Sequence, residues 1–196
     1  MIFSKLKMLT QKHKKNIYLI GIIVIVALSR ILPHADNFTP VIAISIFSGA
    51  YFYNKVHATL VPLLSIFISD IYLNNIVYTH MLDSFTIFYK GVLWQYFAYI
   101  AIVYIGVIFL STNKSFNRII FSTIFSCLIF FIISNYGFWL NSGLYEKNFS
   151  GLLTCYISGI PFFQLTLLGT LFYGVFLFGG TKYINRKYNF MAHANT

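Results

Sequence analysis

The sequence predicts an all-α polytopic membrane protein of six transmembrane helices, with both termini cytoplasmic. Three observations predict it. Of 196 residues, 58% are hydrophobic, 20% aromatic and only 9% charged, with a mean hydropathy of +0.75. An ordinary soluble domain carries about 25% charged residues. The apolar residues fall into runs long enough for helices that cross a hydrocarbon layer, which takes roughly 20 residues. The charges also sort by side. Asp36, Asp70, Asp83 and Glu146 fall in or beside the outer loops, and eleven of the 14 basic residues fall in inner segments, Arg30, Lys90 and Lys147 excepted. Basic residues mark the cytoplasmic side. The bacterial inner membrane is the expected location.

The net charge of +10 is explained by this topology and by contact with anionic membrane lipids. Because the basic residues lie at loop ends and termini, no nucleic-acid partner is expected. Cys127 and Cys155 form no disulfide framework, and no Cys-x-x-Cys spacing occurs. The first apolar run follows Lys12, Lys14 and Lys15 as in a signal peptide, but no small-x-small cleavage site follows it. It is expected to stay as a helix. Three regions result: a basic cytoplasmic segment 1–15, a six-helix membrane domain 16–180 and a basic cytoplasmic tail 181–196.

The first span is expected over 16–32, running outward and closed by Pro33. Asn37-Phe38-Thr39-Pro40 signals the second, 40–53, with Thr39 as cap and Pro40 in the first helical position. Ser45, Ser48, Gly49 and Ala50 suit close helix packing there. The third, 58–74, has Pro62 in its first turn. The fourth is expected over 85–110 and the fifth over 119–140. The stretch 151–180 is too long for one span. Gly159 and Pro161 are expected to divide it into a short outer-loop helix, 150–158, and a sixth span, 161–178.

Asp70 is the sharpest chemical signal, since it stands inside an apolar run. A carboxylate at a helix centre costs about 2.5–3.5 kcal/mol on insertion scales. Two explanations are open: a salt bridge to Arg30, at similar depth on the first helix, or direct contact with a ligand or ion. Both place Asp70 inside the bundle. His80, in the outer loop after the third span, is either an exposed loop residue or an imidazole offered to a ligand or metal from outside. His34 has the same two roles open. Tyr136, Trp139, Tyr145 and Tyr156 gather near the outer loops, where they form either an interface belt or a wall for a flat organic ligand. Asn37, Asn135, Gln164 and Thr166 add polar groups. The histidines lie at loops or termini, His-Glu-x-x-His is absent and no second carboxylate lies well inside a span. The chain is therefore expected not to be an enzyme.

Several pieces carry a resemblance: Arg30-Ile31-Leu32-Pro33-His34, Asn37-Phe38-Thr39-Pro40, Ser69-Asp70, Asn135-Tyr136-Gly137 and Ile160-Pro161-Phe162-Phe163. In combination they resemble DUF6580, a family of small bacterial membrane proteins. That family is similar to the substrate-binding S components of energy-coupling-factor (ECF) transporters, and among those to cobalamin transporters of the BtuM type. The resemblance implies an S-component-like bundle that captures a vitamin from outside. It implies cobalamin as the first candidate ligand, bound as substrate with no intrinsic cofactor, and an ECF-type energising module as partner. It also implies a cobalt ligand in the loop after the third helix. That loop holds His80 and no cysteine; Cys155 is the second candidate. Residues 16–32 lack the Ala-x-x-x-Ala docking pattern of S components that share a module. The function expected is the substrate-binding component of a vitamin transporter. The alternative is a non-transporting membrane protein, an enzyme or assembly factor, that uses Asp70 and Arg30 structurally.

Overall fold

The structure is a computed structural model and describes residues 2–77, 79 and 84–188, with side chains over 13–77, 79 and 84–187. His80 and Asp83 lie outside the described residues. Among the described residues the fold is all-helical: α1 Ile2–Leu28, α2 Val41–Tyr51, α3 Lys55–Tyr72, α4 Val92–Leu110, α5 Phe116–Ser142, α6 Phe149–Gly174 and α7 Gly180–Tyr188. A 3-10 turn, Ser29–Ile31, ends α1; π-turns extend α3 (Leu73–Val77) and join α6 to α7 (Val175–Gly179). Among the described residues, four helical stretches are long and apolar enough to cross a membrane: Lys55–Val77, Val92–Leu110, Phe116–Ser142 and Phe149–Lys187. Their outer faces carry exposed Leu64, Ile68, Leu93, Phe97, Ile108, Phe121 and Leu168. A water-soluble monomer does not expose so continuous an apolar belt.

α2 is the centre. It is apolar around its whole circumference, and ten of its 11 residues are buried. A helix without a polar face belongs inside a bundle. Gly49 of α2 and Gly106 of α4 face each other's backbone; a Cβ on Gly49 would strike the Val103 carbonyl, and one on Gly106 the Ile46 carbonyl. Small residues at such a crossing let two helix backbones meet, the main source of packing energy where lipid tails are as apolar as the side chains.

Several boundaries differ from those expected. Pro40 sits just outside α2 as its N-cap, and no side-chain cap bond forms there, so Thr39 does not cap. α4 starts at Val92 rather than at 85. Asn75 holds the preceding segment out of the helix: its Nδ2 donates to the Thr86 carbonyl (2.9 Å) and its Oδ1 accepts from the Thr86 N–H (2.7 Å). α6 runs unbroken through Gly159 and Pro161, so there is no separate outer-loop helix. Packing on α5 holds both sides of the proline. The Tyr156 hydroxyl donates to the Ile132 carbonyl (2.8 Å) before it, and Phe163 packs edge-on against Phe131 (5.4 Å) after it. Neighbouring helices make such prolines tolerable in a membrane. The expected tail from 181 is helical as far as Tyr188.

Pro62 lies inside α3 rather than in its first turn, because the helix begins at Lys55. A proline has no N–H for the carbonyl four residues back, which here is Ala58. That carbonyl instead accepts from the buried Ser48 hydroxyl of α2 at 2.6 Å. Ser48→Ala should therefore cost about 1–3 kcal/mol, the price of an unsatisfied buried acceptor. Adding Pro62→Ala restores an N–H, and the double variant should regain most of the lost melting temperature in detergent. A double variant no more stable than Ser48→Ala would show that the carbonyl is not what Ser48 serves.

Candidate functional site

Arg30 and Asp70 meet. The Arg30 Nη2 stands 2.8 Å from Asp70 Oδ1, with side chains 12% and 9% exposed. Arg30 Nη1 donates to Ser69 Oγ at 2.5 Å and lies 3.4 Å from the Ile66 carbonyl. The second Asp70 oxygen accepts from the Tyr96 hydroxyl at 3.0 Å. Both carboxylate oxygens thus have donors, which favours a buried pair, while the buried Arg30 Nε has no acceptor among the described residues. Tyr89, in the segment ahead of α4, has its phenol pushed up, first by burial and then by the Asp70 charge, against a smaller opposing effect of Arg30. The local cause of the geometry is the 3-10 turn. It swings Arg30 off the end of α1 toward α3, and Ser29 Oγ steadies it by donating to the Val26 carbonyl at 2.7 Å.

The segment between α1 and α2 then turns back into the bundle. Asn37 takes φ 61°, a left-handed conformation that asparagine tolerates better than most residues, and the Phe38 N–H closes the turn on the Ala35 carbonyl at 3.0 Å. Phe38 packs on Phe172 and Tyr173 (5.5 and 5.9 Å). Gly169 of α6 lies against the backbone of Phe38 and Thr39, so close that a Cβ there would come within 3.0 Å. At 1.5 Å per residue, Gly169 is about 30 Å along α6 from Phe149. Non-helical backbone at such depth is tolerated where it is buried in protein or lines a water-filled cavity.

A cavity of about 580 Å³ opens at this place. The α1–α2 segment supplies Arg30, His34, Asp36, Asn37 and Thr39; α4 supplies Gln95 and Tyr99; α5 supplies Cys127, Phe130, Phe131, Ser134 and Asn135; α6 supplies Cys155, Ser158, Gly159 and Thr166. Aromatic and polar groups both line it. The Asn135 amide donates to the Phe131 carbonyl (2.8 Å), and the buried Cys155 thiol lies 3.5 Å from the Asn135 carbonyl. His34 Nδ1 is 2.6 Å from the Leu32 carbonyl. A carbonyl can only accept, so Nδ1 carries the proton and Nε2 keeps its lone pair in the neutral ring.

Of the residues singled out in the sequence, the cavity brings together Arg30, His34, Asn37, Asn135, Tyr145, Cys155 and Thr166. Asp70 stands behind Arg30 and is not in the lining. Tyr136 packs edge-on against Trp94 (5.3 Å) and beside Trp139 (5.7 Å), outside the lining. The Trp139 indole donates to the Glu146 carbonyl at 2.9 Å, the Tyr156 hydroxyl binds α5 as described, and Gln164 is exposed. These four are not in the cavity. His80 lies outside the described residues. Gln95, Tyr99, Cys127, Ser134 and Ser158 were not expected there; they lie within helices, and an apolar run does not tell which face meets a hollow. Among the described residues, no three of His, Cys, Asp and Glu gather as a metal site.

The helices and their apolar belt define a helical membrane protein. The chain belongs to the family of unknown function DUF6580, whose model matches residues 10–193. Nothing matches among curated proteins or solved structures.

The ion pair gives a direct prediction. Asp70→Ala leaves the Arg30 charge buried and should cost about 3–5 kcal/mol. Asp70→Leu combined with Arg30→Met removes both charges and should recover most of the loss. Thermal melting in detergent checks this. A double variant as unstable as the single one would mean that the two residues are not held as a pair.

Proposed function

We propose that the protein is the substrate-binding membrane component of an uptake system for a vitamin-sized organic solute, taken from outside the bacterial inner membrane. The observation that carries this is the cavity lined by irregular backbone. Its volume of about 580 Å³ lies within the roughly 300–1,000 Å³ usual for ligand sites. Its lining joins aromatic rings to a few fixed polar groups, the mix that holds a flat organic molecule and orients it. Arg30, Asn37, Asn135 and Ser134 are the groups assigned to orientation; Tyr99, Phe130, Phe131 and Phe163 are the apolar walls. Its lining includes the α1–α2 segment, the starts of α2 and α4 and Tyr145 between α5 and α6, so it is read as opening at that end of the bundle, with Cys127 and Thr166 further along α5 and α6. That end bears Asp36 and is the outer one by the charge sorting.

The topology that goes with this function has six crossings and both termini cytoplasmic. α1, α3, α4, α5 and α6 each cross, and α2 crosses together with the turned-in segment before it. The S-component likeness rests on this topology and on the resemblance in sequence, and coupling to an ECF-type module follows from it. Cobalamin is the ligand put forward for the test. Its cobalt would take the free Nε2 of His34, or the imidazole of His80 that the resemblance places in the ligand loop; Cys155 is the sulfur donor within the cavity. Imidazole and thiolate are both competent ligands for such a metal.

A reporter fused at Thr196 should show a cytoplasmic C-terminus; a periplasmic one would turn the cavity to the inside and end the uptake proposal. Native mass spectrometry of protein from vitamin-rich medium should show a co-purifying small molecule. Thr166→Trp, which fills the cavity, should abolish it at unchanged helicity. A molecule retained by that variant would place binding elsewhere. With cobalamin added, the bound corrinoid spectrum should change in His34→Ala or His80→Ala. Unchanged spectra in both would exclude imidazole ligation, and absence of corrinoid binding would exclude cobalamin while leaving the broader proposal to the mass measurement.

A further inference from the structure

A second cavity, of about 570 Å³, lies at the opposite end of α2. Four lysines line it, each from a different part of the chain: Lys15 from α1, Lys55 from the start of α3, Lys114 from the α4–α5 loop and Lys182 from α7. No carboxylate is among the lining residues. Lys114 lies over the Tyr51 ring (4.9 Å to its centre) and donates to the Ser111 carbonyl (3.0 Å), which fixes its ammonium at the rim. Burial lowers its pKa, and the charge of Lys15 lowers it further, so the two ammonium groups repel across the hollow. The C-terminal end of α2 offers them roughly half an elementary negative charge. The N-terminal end of α3, at Lys55, offsets it with roughly the same charge of opposite sign. Positive-inside sorting explains basic residues at this end. It does not require four of them around one hollow, since Lys14, Arg118 and Arg186 satisfy the same rule without lining it.

We propose that this cavity binds a phosphate group, carried either by the headgroup of an anionic phospholipid or by a soluble phosphorylated molecule. Basic pockets between membrane helices are suited to phospholipid headgroups, and the surrounding belt of apolar helix faces would receive the acyl chains. The size of the hollow also admits a free phosphate ester.

The test uses the full-length protein in neutral detergent. Native mass spectrometry compares phosphatidylglycerol with phosphatidylcholine, and thermal melting follows added glycerol phosphate and inorganic phosphate. Lys55→Gln/Lys114→Gln/Lys182→Gln should lose affinity by about fivefold per lysine, on the order of 100-fold together. Lys14→Gln/Arg118→Gln/Arg186→Gln, an equal change of charge at the same end, should lose only a few-fold. The triple Lys→Arg variant keeps the charge and should keep the binding, which guards against loss through misfolding. Retention of phosphatidylglycerol over phosphatidylcholine that vanishes in the cavity variant assigns the site to lipid. A melting shift with glycerol phosphate or inorganic phosphate, without lipid preference, assigns it to a soluble ligand. Equal losses in the two glutamine variants, or no preference for any phosphate anion, would overturn the proposal.

Discussion

α2 has 11 residues, a reach of about 16 Å, within a hydrocarbon layer about 30 Å thick. A helix that short cannot cross alone. Because it is apolar on every side it also cannot lie at the surface, so the other helices must enclose it. The close crossing at Gly49 and Gly106 fixes it against α4. What is left above and below its ends cannot be filled by α2 itself. At one end the chain turns back inward, through Asn37 and Thr39, to reach the start of the helix. At the other, Tyr51 and Phe52 give way to the Asn54 cap of α3. The two cavities are the direct result: one touches Val41 and Ile42, the other Gly49 to Tyr53.

The ion pair follows from the same constraint. A segment that re-enters the bundle has to be anchored where it leaves α1, and Arg30 is the last residue but one of the turn at that point. Its guanidinium ties the turn to two successive residues of α3, Ser69 and Asp70, and reaches toward the Ile66 carbonyl. A planar fork can hold several acceptors in fixed directions, which a lysine cannot. The pair therefore has a positional role whatever else Arg30 contacts. The lining of the cavity includes Arg30 and not Asp70. The carboxylate serves to hold the guanidinium, and the guanidinium is what a bound molecule would meet.

Much of this was legible in the sequence, for reasons that differ by residue. The pairing of Arg30 with Asp70 was one of two readings open in the sequence, because a charge inside an apolar run needs a partner or a task and Arg30 lies at similar depth. The start of α2 could be read to within one residue from Asn-Phe-Thr-Pro. Its depth could not, since that is set by Gly169, more than a hundred residues away in sequence. Pro161 was misread because a local rule for helix breaking was outweighed by contacts with α5 on both sides. The segment ahead of α4 was misread in the opposite sense: Phe85, Ile87 and Phe88 have helical spacing and apolar character, but the two hydrogen bonds of Asn75 with Thr86 hold it in another shape. Tyr136 and Trp139 looked like site residues because they cluster near outer loops, and they do cluster, with each other and with Trp94 rather than around the cavity.

The distribution of charge gains a structural meaning from the two hollows. At the basic end, an anion entering would meet four ammonium groups and no carboxylate among the lining residues. At the other, Arg30 and Asp36 both line the cavity, with Asp70 neutralising the guanidinium from behind. A strong net field there would bind ions of one sign. The near-balanced lining instead suits a solute recognised by hydrogen bonds and stacking, with charge as a minor part. The two proposals therefore rest on different linings: four lysines at one end, and a mixed aromatic and polar wall with both signs of charge at the other. They are joined through one buried helix, α2, whose two ends each contribute to one of the hollows.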